Sequence, residues 1–265
     1  MKLKITHKTQ YTYDAPVTYG LQQVRLTPIS NPHQTVHSWQ VDIKGGVREL
    51  SFEDQYDNHS LLVQADPGTK QVDVTVCGEV ETHNSDGVFG KIYGAAPLWH
   101  YTQSTPRTLA GRGIQKLARR LSSKKDVLGR LHDLSGAILE AVPYGQAITF
   151  AGTTAEEALI AGGGVCQDHA QIFVAATRHM GIPARYVSGY LMMNDRVNQD
   201  ASHAWAEAHI EELGWVGFDV SNGISPDERY VRIATGRDSR DAAPISGMRL
   251  GSGAESMIVS LQIQQ

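Results

Sequence analysis

The sequence predicts an α+β fold with two parts: a strand-rich, β-sandwich-like N-terminal domain over residues 1–105 and an α+β domain over residues 106–265. Two observations support this prediction. Apolar and polar residues alternate through most of the first hundred positions, which is the period of half-buried strands. From residue 107 apolar residues recur at helical spacing, and alternation returns after Pro183. Strands, helices and strands in that order are typical of an α+β domain.

The N-terminal domain is predicted from alternating stretches and the turns between them. One face of a first strand carries Leu3, Ile5 and Tyr11, and one face of a later strand carries Val72 and Val76. Turns rich in proline, glycine, aspartate and asparagine separate such stretches; they lie at residues 14–16, 30–32, 45–46 and 66–68.

Two amphipathic helices are predicted to follow. Apolar residues fall on one face of each at helical spacing: Ala110, Ile114, Leu117 and Leu121 in the first, and Leu128, Leu131, Leu134 and Ile138 in the second. Residues 107–125 contain seven Lys or Arg residues and no acid. Such a stretch can bind nucleic acid or anionic lipid, but a solvated outer face is the commoner cause and is the prediction here.

The composition is that of a globular protein and argues against several classes. Of 265 residues, 41% are hydrophobic and 20% are charged, and the net charge of −4 gives no reason to expect a nucleic-acid or membrane partner. No apolar run approaches the roughly 18 residues of a membrane span, and the first residues lack the apolar centre of a signal peptide. We therefore predict a cytoplasmic protein, with its oligomeric state left open.

The two cysteines, Cys77 and Cys166, are too few for a disulfide framework, so their neighbours decide their roles. Cys77 closes a predicted strand without an activating neighbour, which predicts a packed or edge thiol. Cys166 follows a glycine run and precedes a helical stretch that Gly181 and Pro183 end. This position is either a simple helix start or the place of a reactive thiol.

The predicted surroundings of Cys166 suit a nucleophile. An upstream helix is expected to begin at Thr154, which has capping-box spacing to Glu157, and to stop at residues 162–164. The free N–H groups and partial positive charge at the next helix start favour a thiolate, and they can bind the oxyanion formed when a thiolate attacks an amide. A phosphate-binding loop is a weaker interpretation because no Lys-Ser/Thr follows the glycines.

A general base and an orienting acid occur downstream, as a cysteine nucleophile requires. Strict alternation puts His203 and Trp205 on the same face of a predicted strand, and a tight connection ending at Gly214 leads to a second strand that reaches Asp219. Adjacent antiparallel strands would bring His203 and Asp219 together, with the Cys166 helix packed across them. His203 would then accept the Cys166 proton, and Asp219 would hold the imidazole in the required tautomer.

The other histidines do not suggest a metal site. His169 and His179 are ten residues apart on one predicted helix, which at about 100° per residue puts them on different sides. No His-Glu-x-x-His motif occurs, and two cysteines cannot form a thiolate site. We predict no metal and no cofactor.

Several segments of the chain resemble bacterial transglutaminase-like cysteine proteases. Residues 163–170 (GGVCQDHA) and 181–190 (GIPARYVSGY) are similar to the nucleophile helix of that family and the strand after it. Residues 203–207 (HAWAE) and 214–222 (GWVGFDVSN) resemble the histidine and aspartate strands, and residues 229–238 the C-terminal stretch. The strand-rich start resembles the bacterial transglutaminase-like N-terminal region.

The resemblance implies a papain-like, transglutaminase-core fold for the second domain, with Cys166 as nucleophile, His203 as base and Asp219 as orienting acid. It implies no calcium activation, since no acidic cluster like a calcium site occurs. For Tyr144, where such enzymes often place an oxyanion-hole side chain, we slightly favour a buried core position. The candidates for oxyanion or substrate contact are Tyr144, Gln167 and Trp205.

Three functions are compatible with these residues. The favoured one is an amide hydrolase, a protease or amidase that acts on a peptide or protein through a thioester. A protein-glutamine transamidase would share the first half of that chemistry, and the triad does not separate the two because deacylation depends on whether the site excludes water. A catalytically silent binding module is the third, although its usual sign, loss of a triad residue, is absent.

Overall fold

A computed structural model describes residues 1–91, 94–121 and 126–265 of the chain. This part of the chain forms four α-helices: α1 Arg112–Arg119, α2 Val127–Ala141, α3 Ala155–Ala161 and α4 Cys166–His179. Its strands are β1 Lys2–Tyr13, β2 Tyr19–Val24, β3 Gln34–Lys44, β4 Gly46–Glu53, β5 His59–Ala65, β6 Gln71–Thr82, β7 Val88–Gly90, β8 Ala184–Leu191, β9 Asn198–Gln199, β10 His203–Ile210, β11 Gly214–Phe218, β12 Tyr230–Gly236, β13 Ile245–Leu250 and β14 Glu255–Gln264. The predicted α+β class is confirmed.

The N-terminal part is a two-sheet sandwich. One sheet has the strand order β3-β6-β1-β14-β9, and the other has the order β13-β2-β5-β4. Alternation along the strands turns every second side chain inward. Val74 and Val76 of the first sheet are thereby buried against Leu61 and Val63 of the second.

A third sheet, with the order β12-β8-β10-β11-β7, carries the helices of the second half. Helix α4 packs across β10 on the strand face that holds Ala204, Ala206 and Ala208, all of them buried. Small side chains let a helix axis come close to a sheet, so α4 and β10 are held as near neighbours. This contact places the beginning of α4 beside the beginning of β10.

Helices α1 and α2 follow the predicted apolar faces. Ile114 and Leu117 of α1 and Leu131, Leu134 and Ile138 of α2 are buried. The cations of α1 and its C-cap residue lie exposed as predicted, at Arg112, Lys116, Arg119 and Arg120; Lys124 and Lys125 lie outside the described residues. Of the helices described, none has the length and apolar character needed to cross a membrane.

Strand pairing crosses the predicted boundary between residues 105 and 106 in both directions. β13 pairs with β2 and β14 with β1, whereas β7 pairs with β11 of the third sheet. Strand β1 also serves both parts, because Leu3 and Ile5 pack into the same core as α4. His7 on that strand bonds the Tyr190 hydroxyl of β8 through Nδ1 at 2.8 Å. The division into two domains remains a prediction, and the two parts share one core.

Side-chain amides from the sandwich cover the edge strand β12. The Gln34 amide accepts from the Arg232 backbone N–H and donates to the Arg232 carbonyl, both at 2.9 Å. The Asn58 amide makes the same pair of bonds with Thr235, both at 2.8 Å. Each amide thus imitates one residue of a neighbouring strand, which satisfies an edge that would otherwise be open to another chain.

Candidate active site

The residues before Cys166 set where its helix begins. The predicted capping box is confirmed: Thr154 and Glu157 bond reciprocally at the start of α3. That helix ends at Gly162, whose φ of 67° is left-handed and favours glycine. The chain then turns through Gly163 and Gly164 into α4. The glycine run therefore separates the end of α3 from the start of α4, and local sequence patterns identify both boundaries.

Cys166 is the first residue of α4, and its thiol is half-buried. The Asp168 carboxylate accepts from the Val165 N–H at 2.8 Å, which fixes this start. Among the described hydrogen bonds, the first α4 amide with a carbonyl acceptor is that of Asp168. The N–H groups of Cys166 and Gln167 therefore lie at the open end of the helix, where an anion is stabilised.

His203 and Asp219 form the predicted pair. The register of β10 on β11 pairs Ala206 with Phe218, so Asp219 follows β11 close to the beginning of β10. His203 Nε2 lies 2.7 Å from Asp219 Oδ2. Cys166 lies near enough to His203 to raise the pKa of its imidazole. The structure thus brings Cys166, His203 and Asp219 together.

The charges in this line support one another. Burial disfavours a charged His203, but its hydrogen bond with Asp219 and its interaction with the nearby Cys166 outweigh burial and raise its pKa to about 10. Burial likewise disfavours a charged Asp219, yet hydrogen bonds and the nearby imidazolium hold the pKa of that carboxyl below its ordinary value. At neutral pH the arrangement therefore contains an imidazolium between two acidic groups.

Two further donors hold the Asp219 carboxylate. Asn222 donates through Nδ2 at 2.6 Å and Tyr230 through its hydroxyl at 2.7 Å, both to Oδ2. Burial and the adjacent Asp219 charge raise the pKa of Tyr230, so it remains a donor. Neither side chain was predicted from the sequence to have a role. The spacing Asp-x-x-Asn was the available signal for Asn222, whereas Tyr230 comes from a separate strand.

Trp205 is 3% exposed and lies beside the His203 ring. The ring centroids of Trp205 and His203 are 6.4 Å apart at 28°, and those of Trp205 and Tyr230 are 5.5 Å apart at 85°. This burial argues against the predicted substrate contact. The indole packs against both the imidazole and the Tyr230 ring, whose own centroids are 6.0 Å apart, and it restricts where His203 can move.

Tyr144 is 54% exposed, so the predicted core position is wrong. Its backbone pairs with Gly164 in an isolated bridge, which holds the ring at the surface near Cys166. Partial burial and the Cys166 charge raise the pKa of Tyr144, which keeps its hydroxyl protonated. Gln167 donates to the Ala151 carbonyl at 3.4 Å and borders the same opening.

His169 is a structural residue rather than a ligand. It is 1% exposed, and its Nε2 donates to the Val142 carbonyl at 2.7 Å. Nδ1 then accepts from the Ser221 hydroxyl at 2.8 Å. Burial lowers the pKa of His169, consistent with this neutral tautomer. The ring joins α4 to the loop that carries Asp219, a contact between distant segments that spacing does not predict.

The described residues contain no group of three His, Cys, Asp or Glu side chains arranged to hold a metal ion. His179 lies exposed near the C-terminal end of α4, whereas His169 is buried near its beginning. The candidate site therefore rests on a thiol, an imidazole and a carboxylate among the residues described.

Family models match both parts of the chain. The model of the transglutaminase-like superfamily matches residues 115–220. The model of the bacterial transglutaminase-like N-terminal region matches residues 3–81. The resemblance predicted from the sequence is confirmed for both parts.

Relatives span nearly the whole chain. An uncharacterized protein of Mycobacterium leprae is 28% identical in an alignment of 280 residues that covers 99% of this chain and 98% of that protein. An uncharacterized protein of Mycobacterium tuberculosis is 26% identical over 291 residues, covering 99% of this chain and 91% of that one. A solved structure from Cytophaga hutchinsonii, provisionally named a cysteine protease, matches with a TM-score of 0.79 at 22% identity, covering 100% of this chain and 90% of that one. At this identity the likeness shows the fold alone.

Proposed function

Because residues 115–220 belong to the transglutaminase-like superfamily, we propose that this chain is a cysteine-nucleophile enzyme that hydrolyses amide bonds of peptides or proteins through a thioester. One observation carries the proposal. Cys166 stands at a helix start, near enough to His203 to raise the pKa of the imidazole, and His203 Nε2 lies 2.7 Å from Asp219 Oδ2. The provisional name of the Cytophaga protein supports the same class of enzyme.

In acylation, the Cys166 thiolate attacks the amide carbonyl carbon and forms a C–S bond, and the carbonyl π electrons move to oxygen. In this proposal the N–H groups of Cys166 and Gln167, for which no carbonyl acceptor is described, bind that oxyanion, and the Tyr144 hydroxyl is a further donor. The His203 imidazolium gives its proton to the leaving nitrogen as the C–N bond breaks. A thioester and a free amine result.

In deacylation, water attacks the thioester carbonyl while His203 accepts a proton from it, and the thiolate leaves. A carboxylic acid is released and Cys166 is restored. The half-buried position of Cys166 supports this outcome, since water can reach a thioester formed there. Transfer to an amine would follow the same route with nitrogen as the attacking atom.

The rate of iodoacetamide alkylation at neutral pH tests the activated pair. Mass spectrometry would follow Cys166 and Cys77 separately in the wild type and in His203→Ala. We expect Cys166 to react faster than the more exposed Cys77, and His203→Ala to slow Cys166 while leaving Cys77 unchanged. Alkylation of Cys166 no faster than that of Cys77, with no dependence on His203, would contradict the proposal and favour a silent binding module.

The fate of the acyl group is tested with a glutamine-containing peptide, incubated with and without a primary amine. We expect a carboxylate product in both mixtures and none with Cys166→Ser. An amine adduct as the main product would replace the hydrolase by a transamidase. Turnover by Cys166→Ser equal to the wild type would contradict both.

A further inference from the structure

Residues 144–150, here called the 144–150 loop, lie against the glycine run that leads into Cys166. The loop begins with the backbone bridge from Tyr144 to Gly164, and the Gly145 N–H donates to the Gly164 carbonyl at 2.8 Å. Ile148 folds back over the glycine run, so that a Cβ at Gly163 would stand 2.5 Å from Ile148 Cδ1. The loop therefore borders the two residues that lead into the nucleophile helix.

Polar side chains pin this segment to the nucleophile helix. The Thr149 hydroxyl donates to Asp168 Oδ2 at 2.6 Å, and Gln171 donates to the Thr153 carbonyl at 3.1 Å. Asp168 and Gln171 are both 0% exposed. Arg107 adds a bond to the Ala151 carbonyl. Buried anchors on the helix of Cys166 thus determine where the loop stands.

The anchored loop nevertheless exposes large apolar side chains. Tyr144 is 54% exposed, Ile148 52% and Phe150 75%. Ala147 between them has a φ of 61°, a left-handed conformation that a non-glycine residue adopts at a cost. Residues 143–153 contain no charged side chain. A pinned, uncharged, apolar surface next to a nucleophile has the character of a ligand-binding wall.

We propose that the 144–150 loop is the specificity wall of the site and that the enzyme prefers peptide acyl donors with a bulky apolar side chain next to the scissile amide. This inference rests on the proposed function, because the occupant is defined by its approach to Cys166. Continuity of the loop with the glycine run argues for a substrate side chain as occupant. The absence of charge from residues 143–153 argues against an acidic or basic one.

Two N-acetyl dipeptidyl chloromethyl ketones, one with leucine and one with serine next to the reactive group, test the inference. The Cys166 thiolate would form a C–S bond with the methylene carbon as chloride leaves, and intact mass with peptide mapping would give the rate. We expect the leucine probe to label wild-type Cys166 at least about 10-fold faster than the serine probe. Phe150→Ser, alone and with Ile148→Ser, should bring that ratio towards one.

Leu50→Ser is the matched control, since Leu50 is 53% exposed on β4 of the sandwich. It should leave the probe ratio unchanged. Because Phe150 is 75% exposed, Phe150→Ser alone should fold normally and keeps the test decisive if the double variant unfolds. The rate of Cys166 alkylation by iodoacetamide, a reagent without a peptide side chain, is measured in parallel on every variant.

The outcomes separate the two proposals. Rapid alkylation by iodoacetamide with equal leucine and serine rates would overturn the specificity wall and leave the activated cysteine standing. Slow alkylation that does not depend on His203 would instead sink the proposed function. A concentration-dependent dimer that Phe150→Ser dissociates would assign the loop to a second copy of the chain and overturn the inference as well.

Discussion

The two cysteines of this chain occupy contrasting surroundings. Cys77 lies within β6, between Thr6 of β1 and Gln40 of β3, with its side chain exposed. No hydrogen bond from its thiol occurs among the described residues. It is thus a surface thiol on an inner strand, neither packed nor at a sheet edge as predicted. Cys166 is less exposed but stands at a helix start beside His203.

The contrast separates exposure from activation. An exposed thiol meets reagents more often, yet the thiolate is the reacting species, and its population depends on nearby positive charge. Cys166 has two sources of such charge, the start of α4 and His203, whose raised pKa keeps it protonated at neutral pH. Cys77 has neither. We therefore expect the less exposed thiol to be the more reactive one.

Replacing the thiol itself should have the largest effect. Cys166→Ser removes the nucleophile and should lower kcat/KM for amide hydrolysis by about 10⁴-fold or more. The measurement is hydrolysis of a peptide amide, with circular dichroism to confirm folding. Activity of Cys166→Ser within a few-fold of the wild type would erase the contrast between the two cysteines.

Removing the negative charge of Asp219 should have the second-largest effect. Asp219→Asn leaves the volume unchanged but favours the wrong imidazole tautomer, and should lower kcat by about 10²- to 10⁴-fold. Asp227→Asn, which breaks an ion pair of 2.6 Å between Asp227 and Arg229, is the control and should change kcat little. Equal losses of kcat in Asp219→Asn and Asp227→Asn would mean that the assay measures a general loss of structure.

The alkaline limb of the pH–activity profile should reflect the titration of His203. Its pKa is raised to about 10, so kcat/KM should fall above about pH 10 as the imidazolium that protonates the leaving nitrogen is lost. Because this pKa exceeds the ordinary value of 6.5, the contribution of His203 to the free energy of unfolding is complete below pH 6.5 and declines as pH rises through about 10. In Asp219→Asn the limb should move to lower pH.

Deleting one donor to Asp219 should have a smaller effect. Tyr230→Phe removes a hydroxyl that lies 2.7 Å from Asp219 Oδ2 and should reduce the free energy of unfolding by about 2 kcal/mol. Urea unfolding measures this loss, with Tyr19→Phe at an exposed position as control. If Tyr230→Phe were as stable as Tyr19→Phe, the hydrogen bonds from His203 and Asn222 would be sufficient for the Asp219 carboxylate.

The smallest effect should follow substitution at the other cysteine. Cys77→Ser changes an exposed side chain and should alter the free energy of unfolding by less than about 0.5 kcal/mol, with kcat/KM unchanged. Loss of activity in this variant would reverse the assignment of the two thiols.

Much of the site could be predicted because its signals are local. The capping box at Thr154 and the glycine run define where α4 begins, and the short connection before Gly214 sets the register that brings His203 to Asp219. The family resemblance then supported the prediction that Cys166, His203 and Asp219 act together. Each of these inferences used residues close together in the chain or strands joined by a tight turn.

What the sequence did not predict depends on contacts between distant segments. The exposure of Tyr144 follows from its backbone bridge to Gly164, and the burial of Trp205 follows from packing against Tyr230. Periodicity identifies which face of an element is apolar but does not identify the partner that covers it. For the same reason the pairing of β13 with β2 and of β14 with β1 was not predicted.

The pairing of β1 with β14 imposes an order of assembly on this protein. β1 lies between β6 and β14, so one of its edges stays open on a growing chain until residues 255–264 have left the ribosome. An open strand edge is a template for pairing with another chain, and Leu3 and Ile5 of β1 belong to the core that supports α4. The core behind α4 is therefore complete only after β14 docks, which makes the ordered surroundings of Cys166 a late product of folding.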